Sequence, residues 1–141
     1  MLNSYLSGSI QETEKIAESL VPQISKTKIV TLKGNLGSGK TLICQKIIRC
    51  LCQEEGLIVT SPTFNILKTY PSPLGTLYHY DLYRLKHFAE IEEIGLLDVI
   101  NRKSEICLIE WPEIIEHVLP QDITNILIEL LEHAQRKIIV S

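Results

Sequence analysis

The run Gly34-Asn35-Leu36-Gly37-Ser38-Gly39-Lys40-Thr41 constrains this chain more than any other. It reads G-x-x-x-x-G-K-T, the pattern of a phosphate-binding P-loop. The pattern carries meaning only between a strand and a helix, and the flanks supply both. Lys28-Ile29-Val30-Thr31-Leu32-Lys33 predicts a strand running into the loop, and Lys40 to Cys52 predicts a helix running out of it. Glycines let the backbone take positive φ and approach a ligand with no Cβ in the way. Successive N–H groups can then point inward as an anion-binding nest, reinforced by the positive end of the following helix. Lys40 adds a mobile charge for the β- and γ-phosphates, and the Thr41 hydroxyl is placed to ligate Mg²⁺.

The rest of the chain fits a small α/β protein. With 141 residues it reads as a single domain, 1–141, with a core of useful size. A net charge of −3 argues against general nucleic-acid binding, so any RNA connection has to come through a local patch or a partner. Cys44, Cys50, Cys52 and Cys107 form neither a C-x-x-C pair nor a zinc spacing. Cys44 and Cys107 read as small core residues of a reducing compartment. With no leader-like segment at the N-terminus and no apolar run long enough for a membrane span, the expected location is the cytosol.

Residues 1–6 suggest a short edge strand. Ser9-Ile10-Gln11-Glu12 is an S-x-x-E capping box opening a helix that carries Ile10, Ile16, Ala17, Leu20, Val21 and Ile24 on one face and ends over Ser25 to Thr27. In the P-loop helix, Leu42, Ile43, Ile47, Cys50 and Leu51 are expected to face inward. Leu57-Ile58-Val59-Thr60 reads as a strand, broken by Ser61-Pro62-Thr63-Phe64. Asn65 to Tyr70 and Thr76 to Tyr80 flank a turn-rich segment and predict a hairpin. Asp81 to Leu97 reads as helical or irregular, with Gly95 as a helix stop. Glu105 to Ile109 is a short apolar strand ending at Glu110. Trp111-Pro112 opens a helix, and Ile123 to Leu131 with Lys137 to Val140 reads as a closing hairpin. The expected class is α/β, a P-loop NTPase-like domain with a mixed, mostly parallel sheet, antiparallel additions and helices on both faces.

A P-loop needs an acidic residue for Mg²⁺ or its water, usually at the end of an apolar strand beside the loop. Glu110 stands at such a strand end; the alternative is a surface glutamate. Asp81, in His79-Tyr80-Asp81-Leu82-Tyr83-Arg84-Leu85, is the second candidate, or else a helix cap. With both near one triphosphate, one can hold the metal while the other positions water, and sequence does not assign which. Thr60-Ser61-Pro62-Thr63-Phe64 reads equally as a γ-phosphate-sensing switch or as a hydroxyl-capped turn. His79 is as suited to bonding a neighbouring backbone group as to chemistry. Trp111, beside Glu110, is a core residue or a contact of the site.

Taken together, these strings resemble the bacterial TsaE (YjeE) family, the small P-loop ATPase of threonylcarbamoyladenosine tRNA modification. Glu12-Thr13, the P-loop, Ser61-Pro62-Thr63-Phe64, His79 to Leu85 and Ile109-Glu110-Trp111-Pro112-Glu113 occur in the family's order over nearly the whole chain. The H-Y-D-L-Y-R-L and I-E-W-P-E strings are far more specific than the P-loop. The resemblance implies ATP and Mg²⁺ as ligands, with Lys40 and the loop amides of residues 34–41 on the phosphates. It implies Thr41, Asp81 and Glu110 around the metal, and Lys40, Asp81 and Glu110 as the catalytic set. It implies a functional role for Trp111, and Thr13 and Arg136 near the adenine. It implies an accessory ATPase that binds TsaD and TsaB, acts with TsaC on adenosine 37 of tRNAs reading ANN codons, and reaches tRNA through those partners. Ser38 and Thr27 depart from the family's usual Ala and Gly; only the turn at Thr27 is put in question. Two other readings are a small-molecule kinase, which needs an acceptor pocket and a cationic lid, and a GTPase switch. The arginines Arg49, Arg84, Arg102 and Arg136 do not cluster into a lid, and the guanine-reading N-K-x-D string is absent.

Overall fold

The computed structural model describes residues 2–141, so Met1 of the expected edge strand lies outside the described residues. The strands are β1 (Asn3–Ser7), β2 (Ile29–Lys33), β3 (Leu67–Ser72), β4 (Gly75–Asp81), β5 (Cys107–Glu110), β6 (Thr124–Leu130) and β7 (Arg136–Val140). The α-helices are α1 (Ile10–Ser19), α2 (Val21–Thr27), α3 (Lys40–Cys52), α4 (Phe88–Glu93) and α5 (Leu96–Arg102), and a 3₁₀ helix spans Pro112–Val118. The strands form one seven-stranded sheet in the order β1-β7-β6-β2-β5-β4-β3. β2 pairs in parallel with both β5 and β6, and β4 pairs in parallel with β5. β3, β7 and β1 are the antiparallel additions.

Alternation along the central strands divides the core between two faces. Val30, Leu32, Leu77, Leu108, Ile126 and Ile128 pack with α1, α2 and α3. Ile29, Tyr80, Leu82, Cys107 and Ile109 pack with α4, α5 and the 3₁₀ helix. Helices therefore cover both faces, as expected. Pro71 is tolerated in β3 because that strand is the sheet edge.

Several local expectations are corrected. Leu57 to Thr60 is not a strand: α3 side chains take its carbonyls, with Gln45 Nε2 donating to Val59 O (2.9 Å) and Arg49 Nε to Leu57 O (2.9 Å). Those bonds replace a sheet partner, and Ile58 is left exposed. The first helix breaks after Leu20, because Pro22 has no N–H to continue it and instead sits in the first turn of α2. Ile10 is exposed rather than part of the buried face. Leu42 and Cys50 are half-buried, while Cys44 and Ile48 go deeper. Gly95 does stop a helix, following the C-cap Ile94 of α4 in the left-handed region at φ 72° with its N–H on Glu92 O (3.4 Å), and the same residue also starts α5. The segment after Trp111 is 3₁₀ rather than α. At the turn where the family favours Gly, the left-handed residue is Lys28 (φ 68°) rather than Thr27. Among the described residues no helix is long and apolar enough to cross a membrane.

Candidate nucleotide site

The P-loop leaves the C-terminal end of β2 and enters α3 through Gly39, which is left-handed at φ 113°. A Cβ on Gly39 would sit 2.9 Å from Arg136 Nε, and one on Gly34 would sit 2.5 Å from Ser38 Oγ and 2.8 Å from Ile128 O. Both positions need glycine for close approach as well as for backbone freedom. Arg136, at the start of β7, braces the loop from behind by donating Nε to Ser38 O at 2.9 Å.

Lys40 Nζ donates to Gly34 O at 2.5 Å and Asn35 O at 3.0 Å, folding back over its own loop. The same ammonium lies 4.4 Å from the centre of the Trp111 ring. Burial pulls the Lys40 pKa below the ordinary lysine range, and the charges of Glu110, Asp81 and Glu113 oppose that. Trp111 is half-buried, holds a left-handed backbone (φ 57°, ψ 58°) and leans on Tyr83 with ring centres 4.8 Å apart.

The two acidic candidates stand directly opposite each other. Parallel pairing aligns Asp81 of β4 with Glu110 of β5, and Glu110 with Leu32 of β2. Alternation puts both carboxylates on the face that packs against α3, the face that carries the P-loop. Asp81 Oδ2 accepts from Thr63 Oγ1 (2.9 Å) and Ser61 Oγ (3.3 Å), while Oδ1 accepts from the Tyr83 N–H (3.0 Å). Asp81 thus caps a backbone turn and also faces the cleft. The Ser61 and Thr63 hydroxyls accordingly tie that segment to the site, while the Thr60 hydroxyl accepts from Lys68 instead. Glu110 Oε2 is 2.7 Å from His79 Nε2, and both side chains are buried.

A cleft of about 250 Å³ opens between these groups. Its walls are Leu36, Gly37, Gly39, Lys40 and Thr41 on one side, and Ser61, Thr63, Asp81, Glu110 and Trp111 on the other. Gly34, Asn35 and Ser38 line the adjoining groove beside β6. Thr13 and Arg136 line neither wall. Thr13 is buried, with its hydroxyl on Ser7 Oγ (2.6 Å) and Ser9 O (3.1 Å). The donor set facing the cleft is carboxylate and hydroxyl oxygen, the chemistry a hard cation such as Mg²⁺ takes. The buried Ser38 Oγ, packed against Gly34 behind the loop, has no hydrogen-bond partner. His79 is the residue whose role the sequence left open. The available signal was its spacing: two residues before Asp81 on one strand, it shares that residue's face.

The family model described as "Threonylcarbamoyl adenosine biosynthesis protein TsaE" matches residues 7–138. The chain belongs to the TsaE family. It is 43% identical over 137 residues to the tRNA threonylcarbamoyladenosine biosynthesis protein TsaE of Rickettsia bellii, an alignment covering 96% of this chain and 93% of that protein. The TsaE of Bacillus subtilis is 36% identical over 132 residues, covering 91% and 78%. The crystal structure of Bacillus subtilis YdiB matches with a TM-score of 0.72 at 28% identity, over 99% of this chain and 84% of that one. TsaE membership accounts for the order of the motifs and for the sheet on which they stand.

Proposed function

We propose that this TsaE-family chain serves tRNA threonylcarbamoyladenosine biosynthesis as an ATP-binding and ATP-hydrolysing accessory subunit. One observation carries the hydrolytic reading: Asp81 and Glu110, in register on adjacent parallel strands, face Lys40 and Thr41 across one cleft. The loop N–H groups and the N-terminus of α3 offer positive potential to phosphate oxygens. Lys40 exchanges its bonds to Gly34 O and Asn35 O for the ligand's phosphates. Thr41 and Asp81 supply oxygen ligands, and Glu110 is positioned to hold and orient water. Mg²⁺, when bound there, neutralises charge on the phosphates.

Water is the acceptor in this reading. A kinase needs cations free to cover the transferring group. Here Arg49 is committed to Leu57 O, Arg102 to the Tyr78 hydroxyl and Arg136 to Ser38 O, while Arg84 lies over the Phe64 ring. ATP binding would promote docking onto TsaB and TsaD, and hydrolysis would reset that complex between turnovers, with TsaC acting alongside. The modification falls on adenosine 37 of tRNAs reading ANN codons, with tRNA held through the partners.

The test is reconstitution of tRNA modification with and without this chain, with phosphate release followed for ATP against GTP. The expected result is dependence on the chain and on ATP. Formation of ADP that requires a small-molecule acceptor and yields no free phosphate would overturn the proposal in favour of a kinase.

A further inference from the structure

His79 is completely buried, and it is charged or polar chemistry placed where the sheet otherwise packs Leu77, Leu108 and Cys44. Register explains its reach. Asp81 is opposite Glu110, and His79 is opposite Leu108, so His79 and Glu110 are diagonal neighbours on one face. Their contact, Nε2 to Oε2 at 2.7 Å, joins residues 31 apart in sequence. With Glu110 as a carboxylate, which only accepts, Nε2 is the donor of this contact. Nδ1 has no partner, and a lone pair costs less there than a stranded N–H.

The two carboxylates of the cleft are therefore held in different ways. Both oxygens of Asp81 accept hydrogen bonds, from Ser61, Thr63 and the Tyr83 amide. Glu110 is held through Oε2 alone. Its other oxygen makes no hydrogen bond among the described residues and is not among the buried unpartnered atoms. Since Glu110 lines the cleft, that oxygen is the part of the side chain left open to it. A glutamate has three rotatable bonds, and a base that wanders by an ångström loses much of its effect.

We propose that His79 is a positioning residue for hydrolysis: its Nε2–H pins one oxygen of Glu110 and thereby aims the other at the attacking water. This rests on the ATPase reading above. His79 itself touches neither nucleotide nor water, and the nearby Cys44 thiol, pushed well up by burial, takes no part.

The test compares His79→Leu, which removes the donor, with His79→Gln, which keeps an N–H at similar reach. Single-turnover phosphate release, nucleotide affinity and thermal melting are measured with the partner proteins present. The expected loss in His79→Leu is roughly tenfold or more in rate, with nucleotide affinity unchanged and most of the rate restored in His79→Gln. In a Glu110→Gln background, His79→Leu should add no further loss, because the residue acts only through Glu110. An equal loss in both backgrounds, affinity falling in step with rate, or no rescue by Gln would each overturn the proposal. A second readout is independent of turnover: an exchange-protected imidazole N–H resonance of His79 that shifts upfield in Glu110→Ala. If wild-type protein releases no phosphate, the ATPase reading fails and this resonance decides the pinning alone. Its absence, or its indifference to Glu110, overturns the pinning.

Discussion

Lys40 already has acceptors before any phosphate arrives. Its bonds to Gly34 O and Asn35 O and its place over Trp111 mean that binding exchanges one set of partners for another. Lys40→Ala is expected to lower ATP hydrolysis by roughly 10²–10³-fold, a size typical for one lost electrostatic contact to the transition state. Circular dichroism should stay native, because the ammonium supports no core contact. Normal turnover in that variant would show the site to be elsewhere. Trp111→Ala is expected to impair the modification cycle while weakening nucleotide binding by no more than about thirtyfold, since a cation–π contact contributes about 0.5–2 kcal/mol. Titration of nucleotide beside a pull-down with TsaD separates loss of ligand from loss of partner. At this scale the sequence was most readable for Lys40 and Thr41, whose motif is local, and for Glu110, which ends an apolar strand. The link between His79 and Glu110 was not readable, because a diagonal contact across two strands leaves no trace in spacing along one of them. The resemblance pointed to Arg136 near the adenine, but its bond to the back of the loop was hidden, since it joins residues 98 apart in sequence.

Among the elements, β5 carries the greatest structural burden for its length. All of its residues are buried, and its neighbours β2 and β4 pair with it in parallel. Leu108→Ala removes a fully buried side chain from the α3 face and is expected to destabilise by about 2–5 kcal/mol, read from urea unfolding. Ser9→Ala tests a smaller device. Ser9 Oγ accepts from the Glu12 N–H at 3.1 Å, while Glu12 reaches back to the Gly8 N–H rather than to Ser9. Loss of that cap should cost about 1 kcal/mol. The helix after the P-loop was legible to the residue, since its apolar period and its glycine-rich start agree. Leu57 to Thr60 was not. Its composition is that of a strand, but Gln45 and Arg49 of α3 reach its carbonyls first. Gly95 was legible as a stop but not as a start: one left-handed glycine both closes α4 and opens α5.

Across the whole molecule, the cleft stands at the C-terminal ends of β2, β4 and β5, so ligand binding should tighten the centre of the sheet. Nucleotide with Mg²⁺ at 100 times its dissociation constant is expected to add about 2.7 kcal/mol to stability, and chelating the metal should remove part of it, both visible as shifts in melting temperature. An unchanged melting temperature at saturating ATP would contradict the assignment of the cleft. The mixed sheet with helices on both faces was legible from the alternation of apolar runs and periodic stretches. The strand order was not, because it depends on pairings between segments far apart. One of those pairings has a consequence for folding. Among the described residues β1 has a single neighbour, β7, and Asn3 is aligned with Val140. β1 must therefore wait, unpaired, for β7. Loop closure over so long a span is slow, and until it happens the backbone of β1 presents an open edge. Until β7 forms, the P-loop also lacks the Arg136 bond to Ser38 O that braces it from behind, so one strand completes both the edge of the sheet and the nucleotide loop.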